Sequence, residues 1–416
     1  MKLLLFLCFV YSFSLPLHAQ QNEAVNIATI DSIQSKILHE KRKIWIHLPT
    51  SASTDKKKKY PVLYLLDAEW NFNGVAGMID FLSAINGNNF CPEMIIVGVP
   101  NTNRTRDLTP TKVTNGLFID QNMAANSGGG EAFTAFMEKE LVPHIDSLYH
   151  TLPYRMLVGH SLGGILVINT LVHHPHIFKA YLAIEPSMWW DHQKLLKETA
   201  EALQSGNYTG QSVFLAMANT LPPGMDTAAV QKDTVPGTIH PRSILQLHNY
   251  LMRNPQNGLD ASFKYYPDDT HSSAPLIATY DALHFIFQDY ALKFQDSYFT
   301  DPGFKLAAYL QAHYAHISAK YGFVSEDSRS LLPPEDLVNN LGFFMMQRKQ
   351  FGKAEEMFTM NIKNYPSGSL AYRYLGDLFA ARGDKKTAVG NYRKALELKE
   401  DTEARKKLND LQQSVK

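Results

Sequence analysis

The chain has 416 residues, which is enough for two or three domains. Its 40 Lys and Arg residues balance its 40 Asp and Glu residues, and this zero formal charge argues against nucleic acid or an anionic membrane surface as the main partner. A composition of 45% hydrophobic and 19% charged residues excludes a disordered chain, and two cysteines, Cys8 and Cys91, exclude a disulfide scaffold.

The N-terminus has the features of a secretory signal. Lys2 precedes an apolar run over residues 3–13, and Ala19 is a small residue at a suitable cleavage point. We expect residues 1–19 to form a signal peptide that is cleaved after Ala19, and the protein to be exported; an uncleaved anchor is the alternative. No later run reaches the roughly 18 apolar residues of a membrane helix, so no span is expected after signal removal.

Residues 25–295 alternate strand and helix patterns. Apolar runs predict buried strands at residues 62–66, 94–99, 156–158, 180–184 and 213–218, with a half-exposed strand at 43–48 and a last strand at 263–266. Helical patterns occupy residues 131–149, 163–174, 192–205, 241–253 and 275–294. This alternation predicts one α/β domain over residues 25–295, with a mostly parallel sheet flanked by helices.

The pattern changes to all-helical over residues 335–416, where an internal repeat occurs. Gly342 and Gly376, Ala354 and Ala388, and Phe358 and Tyr392 are each separated by 34 residues. This spacing resembles the tetratricopeptide repeat, in which small residues let paired helices pack closely. We therefore expect a small all-α region that either docks a protein partner or supports the first domain. Residues 296–334 are predicted to be a helical connector.

The segment from Gly159 to Gly164 (Gly-His-Ser-Leu-Gly-Gly) has the pattern of a nucleophile elbow. It follows a predicted strand and precedes a predicted helix, as such an elbow requires. The glycines leave room for a tight turn, and the turn exposes the hydroxyl of Ser161. This context predicts Ser161 as a nucleophile.

A serine hydroxyl needs a base, and in this architecture the order along the chain is serine, acid, histidine. His271 follows the last predicted strand and is the candidate base. Asp226 is the first carboxylate after the strand at residues 213–218 and is the candidate acid. Asp233, or a serine–histidine pair with no strong acid, is the alternative.

Stabilisation of an oxyanion needs two N–H donors. The backbone N–H of Leu162, directly after the nucleophile, is the first candidate. The second is expected from the loop after the strand at residues 62–66, where Ala68 or Glu69 is the candidate.

These motifs resemble the putative-esterase family of α/β-hydrolases, which includes esterase D-like enzymes, enterobactin-type siderophore esterases and feruloyl or acetyl-xylan esterases. The matching stretches are residues 60–67, 103–110, 140–145, 154–155 and 159–164, and the loop that ends in His271. The resemblance covers residues 25–295 and implies an α/β-hydrolase fold and ester hydrolysis through Ser161 and His271. The segment after Asn219 lacks the short acidic turn of many family members, so the assignment of Asp226 as the acid stays open.

Four side chains are candidates for contact with a substrate. Trp189 and Trp190 follow a predicted strand, at the edge of the sheet where ligands bind in such folds. Their rings either stack on an aromatic or sugar group of the substrate or pack in the core, and the sequence favours neither alternative. Arg104 and Arg106 either meet an anionic substrate or pair with nearby carboxylates such as Asp107. The sequence has neither His-Glu-x-x-His nor paired cysteines, so we expect no metal site and no cofactor.

The leading hypothesis is an exported serine esterase that acts on a small-molecule or carbohydrate ester. A siderophore lactone and an acylated or feruloylated carbohydrate are the substrate classes left open. One alternative is a non-catalytic scaffold that binds a partner through its repeats. Another is an acyltransferase that uses the same site.

Overall fold

A computed structural model describes residues 25–324 and 331–413. The predicted signal peptide at residues 1–19 lies outside the described residues. Within the described ranges, no helix combines the length and the apolar character needed to cross a membrane. Cys91 is buried and carries a free thiol.

Eight strands in the described ranges form one sheet with the order β1-β2-β4-β3-β5-β6-β7-β8. The strands are β1 (Thr29–Ser35), β2 (Glu40–His47), β3 (Tyr60–Leu66), β4 (Ile95–Val99), β5 (Thr151–His160), β6 (Ala180–Ile184), β7 (Ser212–Ala218) and β8 (Asp260–Tyr266). β1 pairs with β2 and β2 with β4 in antiparallel fashion, and the remaining neighbours are parallel. The predicted mostly parallel sheet is confirmed, whereas β1 had no counterpart among the predicted strands.

Helices cover both faces of this sheet. They are α1 (Ser51–Thr54), α2 (Ala68–Ser83), α3 (Arg104–Leu108), α4 (Gln121–Asn126), α5 (Gly130–Phe136), α6 (Val142–Leu148), α7 (Leu162–His173), α8 (Trp190–Ser205), α9 (Thr227–Lys232), α10 (Ile239–Arg253) and α11 (Ala274–Ile286). One core lies between the sheet and α5 to α8 with α10, and the other lies between the sheet and α2 with α11. β3, β6 and β7 are buried along their whole length, which explains their continuous apolar runs.

Two predicted helices differ in detail. The helix predicted at residues 131–149 is interrupted between α5 and α6 by a π-helical turn at Met137–Leu141. The helix predicted at residues 275–294 ends at Ile286 in the structure.

The C-terminal region is helical, as predicted. Its helices are α12 (Asp296–Thr300), α13 (Leu306–Tyr321), α14 (Glu335–Gln347), α15 (Phe351–Asn364), α16 (Ser369–Ala381), α17 (Lys385–Leu398) and α18 (Thr402–Gln413). Leu306 and Leu310 of α13 share a core with α14 to α16, whereas Ile317 and Tyr321 share a core with the sheet domain. Helix α13 therefore packs against both regions.

The 34-residue spacing corresponds to two equivalent packing sites. A Cβ atom on Gly342 of α14 would lie 2.5 Å from the ring of Phe358 of α15, and one on Gly376 of α16 would lie 2.5 Å from the ring of Tyr392 of α17. Each hairpin thus packs an aromatic ring directly on a glycine backbone. The assignment to the tetratricopeptide class stays a prediction.

Candidate active site

Ser161 lies on a sharp turn between β5 and α7. Its backbone has φ 59° and ψ −113°, a conformation that L-residues adopt rarely and that stores strain. A Cβ atom on Gly159 would lie 2.3 Å from the carbonyl oxygen of Gly163, so only glycine fits there. The N–H of Ser161 donates to the carbonyl of Ile184 over 2.9 Å, which ties the turn to the end of β6. This is the geometry of a nucleophile elbow.

His271 lies in the loop between β8 and α11, and its acidic neighbour is Glu185. His271 Nδ1 lies 3.1 Å from Glu185 Oε2. Glu185 directly follows β6, is fully buried and has a positive φ of 46°. Its other carboxylate oxygen, Oε1, accepts a 2.6 Å hydrogen bond from the N–H of Ala218 at the end of β7.

Glu185 is ionised despite its burial. Burial acts to raise its pKa, but hydrogen bonds with His240 and His271, the charge of His240 and the Ala218 N–H outweigh it and lower the pKa to about 2. An ionised carboxylate accepts the Nδ1–H of His271, and this leaves the Nε2 atom of that imidazole free to accept a proton.

The structure does not place Asp226 against His271, and this corrects the expectation for the acid. Asp226 caps α9 by accepting a 2.7 Å hydrogen bond from the N–H of Ala229. Asp233 accepts hydrogen bonds from the N–H groups of Thr234 and Val235. Both carboxylates serve local backbone turns, which is the common use of Asp at such positions.

Ser161 and His271 are both anchored to the segment after β6. Ser187 Oγ lies 3.4 Å from Ser161 Oγ, and Glu185 holds His271. Among the described residues, no hydrogen bond joins Ser161 to His271. Such bonds are often long without substrate and tighten in the reacting complex, so the arrangement is compatible with proton transfer.

His160, next to the candidate nucleophile Ser161, contacts the candidate base. Its ring centroid lies 4.5 Å from that of His271. Burial, with a smaller contribution from the charge of His271, lowers the pKa of His160 to about 4. His160 is therefore a neutral ring that supports one side of His271 at neutral pH.

The candidate oxyanion donors lie at two neighbouring helix N-termini. Leu162 is the first residue of α7, while Ala68 and Glu69 open α2. The first N–H groups of a helix have no partner within that helix and carry a partial positive charge. A Cβ atom on Gly163 would lie 3.3 Å from Asp67 Oδ2, which shows how close the two loops are.

The two arginines predicted as substrate contacts are paired with carboxylates. Arg104 forms a bidentate pair with the buried Asp67 at 2.7 and 2.8 Å, and it also donates to the carbonyl of His160. Arg106 pairs with Glu40 and Asp107. Both guanidinium groups thus organise the loops. This agrees with the alternative that the arginines pair with nearby carboxylates.

The two tryptophans have different surroundings. Trp190 is fully buried in the core, and its Nε1–H donates to the carbonyl of Thr111. Trp189 is partly buried and packs edge-on against the exposed ring of Phe118 at 5.3 Å. Of the two, Trp189 has the larger exposed surface.

A second histidine contacts the same carboxylate. His240, near the start of α10, places Nε2 2.9 Å from Glu185 Oε2. One ligand-type atom from each of Glu185, His240 and His271 lies within 4.8 Å of the others. Sequence motifs did not suggest this cluster because its members come from three separate segments. A sequence signal for Glu185 did exist, since it is a single carboxylate between an apolar strand and Pro186.

The strand order, the elbow and the buried carboxylate–imidazole pair define an α/β-hydrolase. Residues 35–233 match the family model described as "Putative esterase", and this confirms the resemblance found in the sequence. The chain is 29% identical over 212 residues to the ferri-bacillibactin esterase BesA of Bacillus subtilis, a match that covers 46% of this chain and 71% of BesA. It is 31% identical over 74 residues to the siderophore enterobactin esterase of Emericella nidulans, covering 17% of this chain and 24% of that protein.

Solved structures extend the similarity beyond the sheet domain. An IroE-like serine hydrolase from Shewanella oneidensis has 29% identity and a TM-score of 0.66, and the match covers 80% of this chain and 98% of that one. An uncharacterised protein from Capnocytophaga ochracea has a TM-score of 0.65 at 18% identity, with coverage of 92% and 99%. The second match concerns the fold alone and includes the C-terminal helices. Together, the comparisons support an ester hydrolase.

Proposed function

We propose that this protein is a serine esterase in which Ser161 is the nucleophile, His271 the base and Glu185 the acid. The observation that carries this assignment is the contact of His271 Nδ1 with the buried, ionised Glu185, beside a serine held in an elbow conformation. An intact elbow and a base–acid pair also speak against a non-catalytic scaffold.

The reaction follows from these positions. His271 Nε2 takes the proton of Ser161 Oγ while Oγ attacks the ester carbonyl carbon. The N–H groups of Leu162 and of Ala68 or Glu69 stabilise the oxyanion. The protonated His271 then gives its proton to the leaving alcohol, and the acyl group stays on Ser161. Water, deprotonated by the same imidazole, releases the acid and restores the serine.

The proposed substrate is an ester of a siderophore. The names of the similar proteins from Bacillus subtilis and Emericella nidulans support this class. Two exposed aromatic rings are connected to segments that carry site residues. Trp70 in the first turn of α2 lies beneath Arg104, which donates to the carbonyl of His160. Phe118 packs on Trp189, which follows Ser187 by two residues. Such rings suit an aromatic acyl group.

A fluorophosphonate probe and a panel of esters test this function. The wild-type chain is expected to be labelled and to hydrolyse siderophore esters in preference to feruloyl or acetyl sugar esters. Ser161→Ala is expected to abolish both labelling and hydrolysis. Ser187→Ala is the matched control, because its hydroxyl lies beside that of Ser161; the control protein should still be labelled. Labelling that survives in Ser161→Ala and disappears in Ser187→Ala contradicts the assignment.

We also propose that the protein is exported, on the basis of the sequence of residues 1–19. Expression in a bacterial host followed by mass spectrometry of the extracytoplasmic fraction tests this. The expected mature chain begins at Gln20. A full-length chain confined to the cytoplasm contradicts it.

A further inference from the structure

Glu185, His240 and His271 place the side-chain atoms of a metal site around one point. Glu185 Oε2 lies 2.9 Å from His240 Nε2 and 3.1 Å from His271 Nδ1. The rings of the two histidines meet edge-on, with centroids 5.5 Å apart. One carboxylate oxygen and two imidazole nitrogens form a ligand set that Zn²⁺ and similar divalent transition metals bind.

The two distances to Glu185 Oε2 are close to those around a tetrahedral ion. Zn–N and Zn–O bonds of roughly 2.05 Å at a tetrahedral angle place neighbouring ligand atoms about 3.4 Å apart. The two observed contacts to Glu185 Oε2 are shorter than this by 0.3 to 0.5 Å. All three ligand atoms lie within 4.8 Å of one another, so rotations of the two imidazole rings would bring them to the spacing that an ion requires.

The cluster is accessible on one side and supported on the other. The side chains of His271 and His240 are 37% and 15% exposed, whereas Glu185 is fully buried. Glu185 Oε1 is fixed by the N–H of Ala218, so the carboxylate has a defined orientation. His240 Nδ1 is buried and has no hydrogen-bond partner among the described residues. Three protein ligands leave the fourth coordination position open to water. Because no hydrogen bond orients His240 through its Nδ1 atom, we expect the ion to bind reversibly.

We propose that these three side chains form an inhibitory site for a zinc-class divalent cation. This inference rests on the proposed role of His271 as the base. Coordination through Nδ1 uses the lone pair of that nitrogen, so the neutral imidazole carries its proton on Nε2. An Nε2–H cannot accept the proton of Ser161 Oγ. The bound ion also replaces His271 as the partner of Glu185. Metal binding and general-base catalysis therefore exclude each other.

Zinc titration of the full chain tests the proposal. Zn²⁺ is expected to inhibit ester hydrolysis at micromolar concentration, and EDTA is expected to restore the rate. The informative variant is His240→Gln, in which the amide still donates to Glu185 but is a poor metal ligand. Each protein is compared with its own zinc-free rate. The concentration for half-inhibition should rise at least about tenfold in His240→Gln. An unchanged concentration overturns the proposal.

A binding measurement separates this proposal from the assignment of the nucleophile. Isothermal titration of Ser161→Ala with Zn²⁺ should show one site, and the double variant with His240→Gln should lack it. Co²⁺ added to Ser161→Ala should give the visible absorption of a four-coordinate site, which does not depend on the folding of a His240 variant. Failure of Zn²⁺ and Co²⁺ to bind overturns the metal site, even if Ser161 proves essential for hydrolysis.

Two controls exclude other histidines. The first control is His248→Ala. His248 lies on α10, like His240, but stacks on Phe263 outside the cluster. His174→Ala removes a surface histidine that pairs with Glu131. Both proteins should keep the zinc sensitivity of the wild type. Loss of inhibition in either control, with inhibition retained in His240→Gln, places the ion elsewhere and overturns the proposal.

Discussion

Glu185 Oε2 holds His271 Nδ1 at 3.1 Å, although Glu185 follows β6 and His271 follows β8. Strands lie about 4.8 Å apart in a sheet, so the carboxylate reaches across the end of β7. The Ala218 N–H at the end of that strand donates to Glu185 and orients it. A Glu side chain is one methylene longer than Asp, and this extra reach fits the longer path.

Replacing Glu185 by Gln tests whether this pair supports catalysis. The amide keeps the shape but no longer favours the tautomer with the proton on Nδ1, so kcat/KM should fall by roughly 10² to 10⁴. Steady-state hydrolysis of an activated ester measures the effect. Asp226→Ala is the control, because it removes only the cap of α9 and should cost about 1 kcal/mol of stability with little change in kcat/KM. A larger loss of activity in Asp226→Ala than in Glu185→Gln would restore Asp226 as the acid.

The elbow was predictable because its signal is local. A tight turn between a buried strand and a helix needs small residues around the exposed serine, and Gly159 and Gly163 lie two residues before and two residues after Ser161 in the sequence. The proposed acid, Glu185, was not predictable in the same way. Glu185 contacts His271 only because β6, β7 and β8 are neighbours in the sheet, and this order is not visible in the sequence. The sequence therefore predicts Asp226, the first carboxylate along the chain after β7.

The burial of the two tryptophans could not be predicted from the sequence either. Trp189 and Trp190 are adjacent and identical in type, yet one is accessible and the other lies in the core. The backbone after them is also unusual, since Asp191, His192 and Gln193 form a left-handed turn at the start of α8. No residue there is glycine, so no pattern pointed to that turn. In contrast, the 34-residue repeat was visible because both hairpins need a glycine at the same position.

Gly159→Ala tests the steric demand of the elbow. The added Cβ would lie 2.3 Å from the Gly163 carbonyl oxygen, so the turn must open and Ser161 must move. We expect a loss of activity of at least 100-fold and destabilisation of roughly 1 to 3 kcal/mol. Urea unfolding and ester hydrolysis measure the two effects. Gly77→Ala in the interior of α2 is the control, since nothing lies within 4 Å of its added Cβ and it should stabilise by about 0.5 to 1 kcal/mol. Equal behaviour of the two variants would contradict the elbow geometry.

The Arg104–Asp67 pair is expected to be structural. Asp67 has no exposed side-chain surface, so Arg104→Met leaves a buried carboxylate without its bidentate partner and should cost about 3 to 5 kcal/mol. Adding Asp67→Asn removes that charge and should recover part of the loss. Chemical denaturation of the two single variants and the double variant measures the coupling. If Arg104→Met leaves stability unchanged and raises only KM, the arginine acts on the substrate instead.

Glu40 should make stability depend on acid pH. Burial acts to raise its pKa, but hydrogen bonds from Arg106, Arg42 and Thr102 outweigh it and lower the pKa to about 2 from 4.5. A carboxyl group with a lowered pKa in the folded state contributes stability above pH 4.5 and loses it as the pH falls towards 2. The difference in unfolding free energy between wild type and Glu40→Gln should therefore shrink over this pH window. If this difference in unfolding free energy stays constant between pH 4.5 and 2, the lowered pKa of Glu40 is contradicted.

The paired glycines of the helical region should be equivalent in energy. Gly342→Ala and Gly376→Ala each place a Cβ 2.5 Å from an aromatic ring, Phe358 or Tyr392, so each hairpin must open or its ring must rotate. We expect each variant to destabilise by roughly 1 to 3 kcal/mol. Both should leave kcat/KM for a small ester unchanged, because Ser161 and His271 lie in the other region. Thermal unfolding and hydrolysis assays on the full chain measure this. Gly390→Ala on α17, which has open space at its Cβ, is the control. If one glycine tolerates alanine and the other does not, the two hairpins are not packed alike and the repeat is one of sequence only.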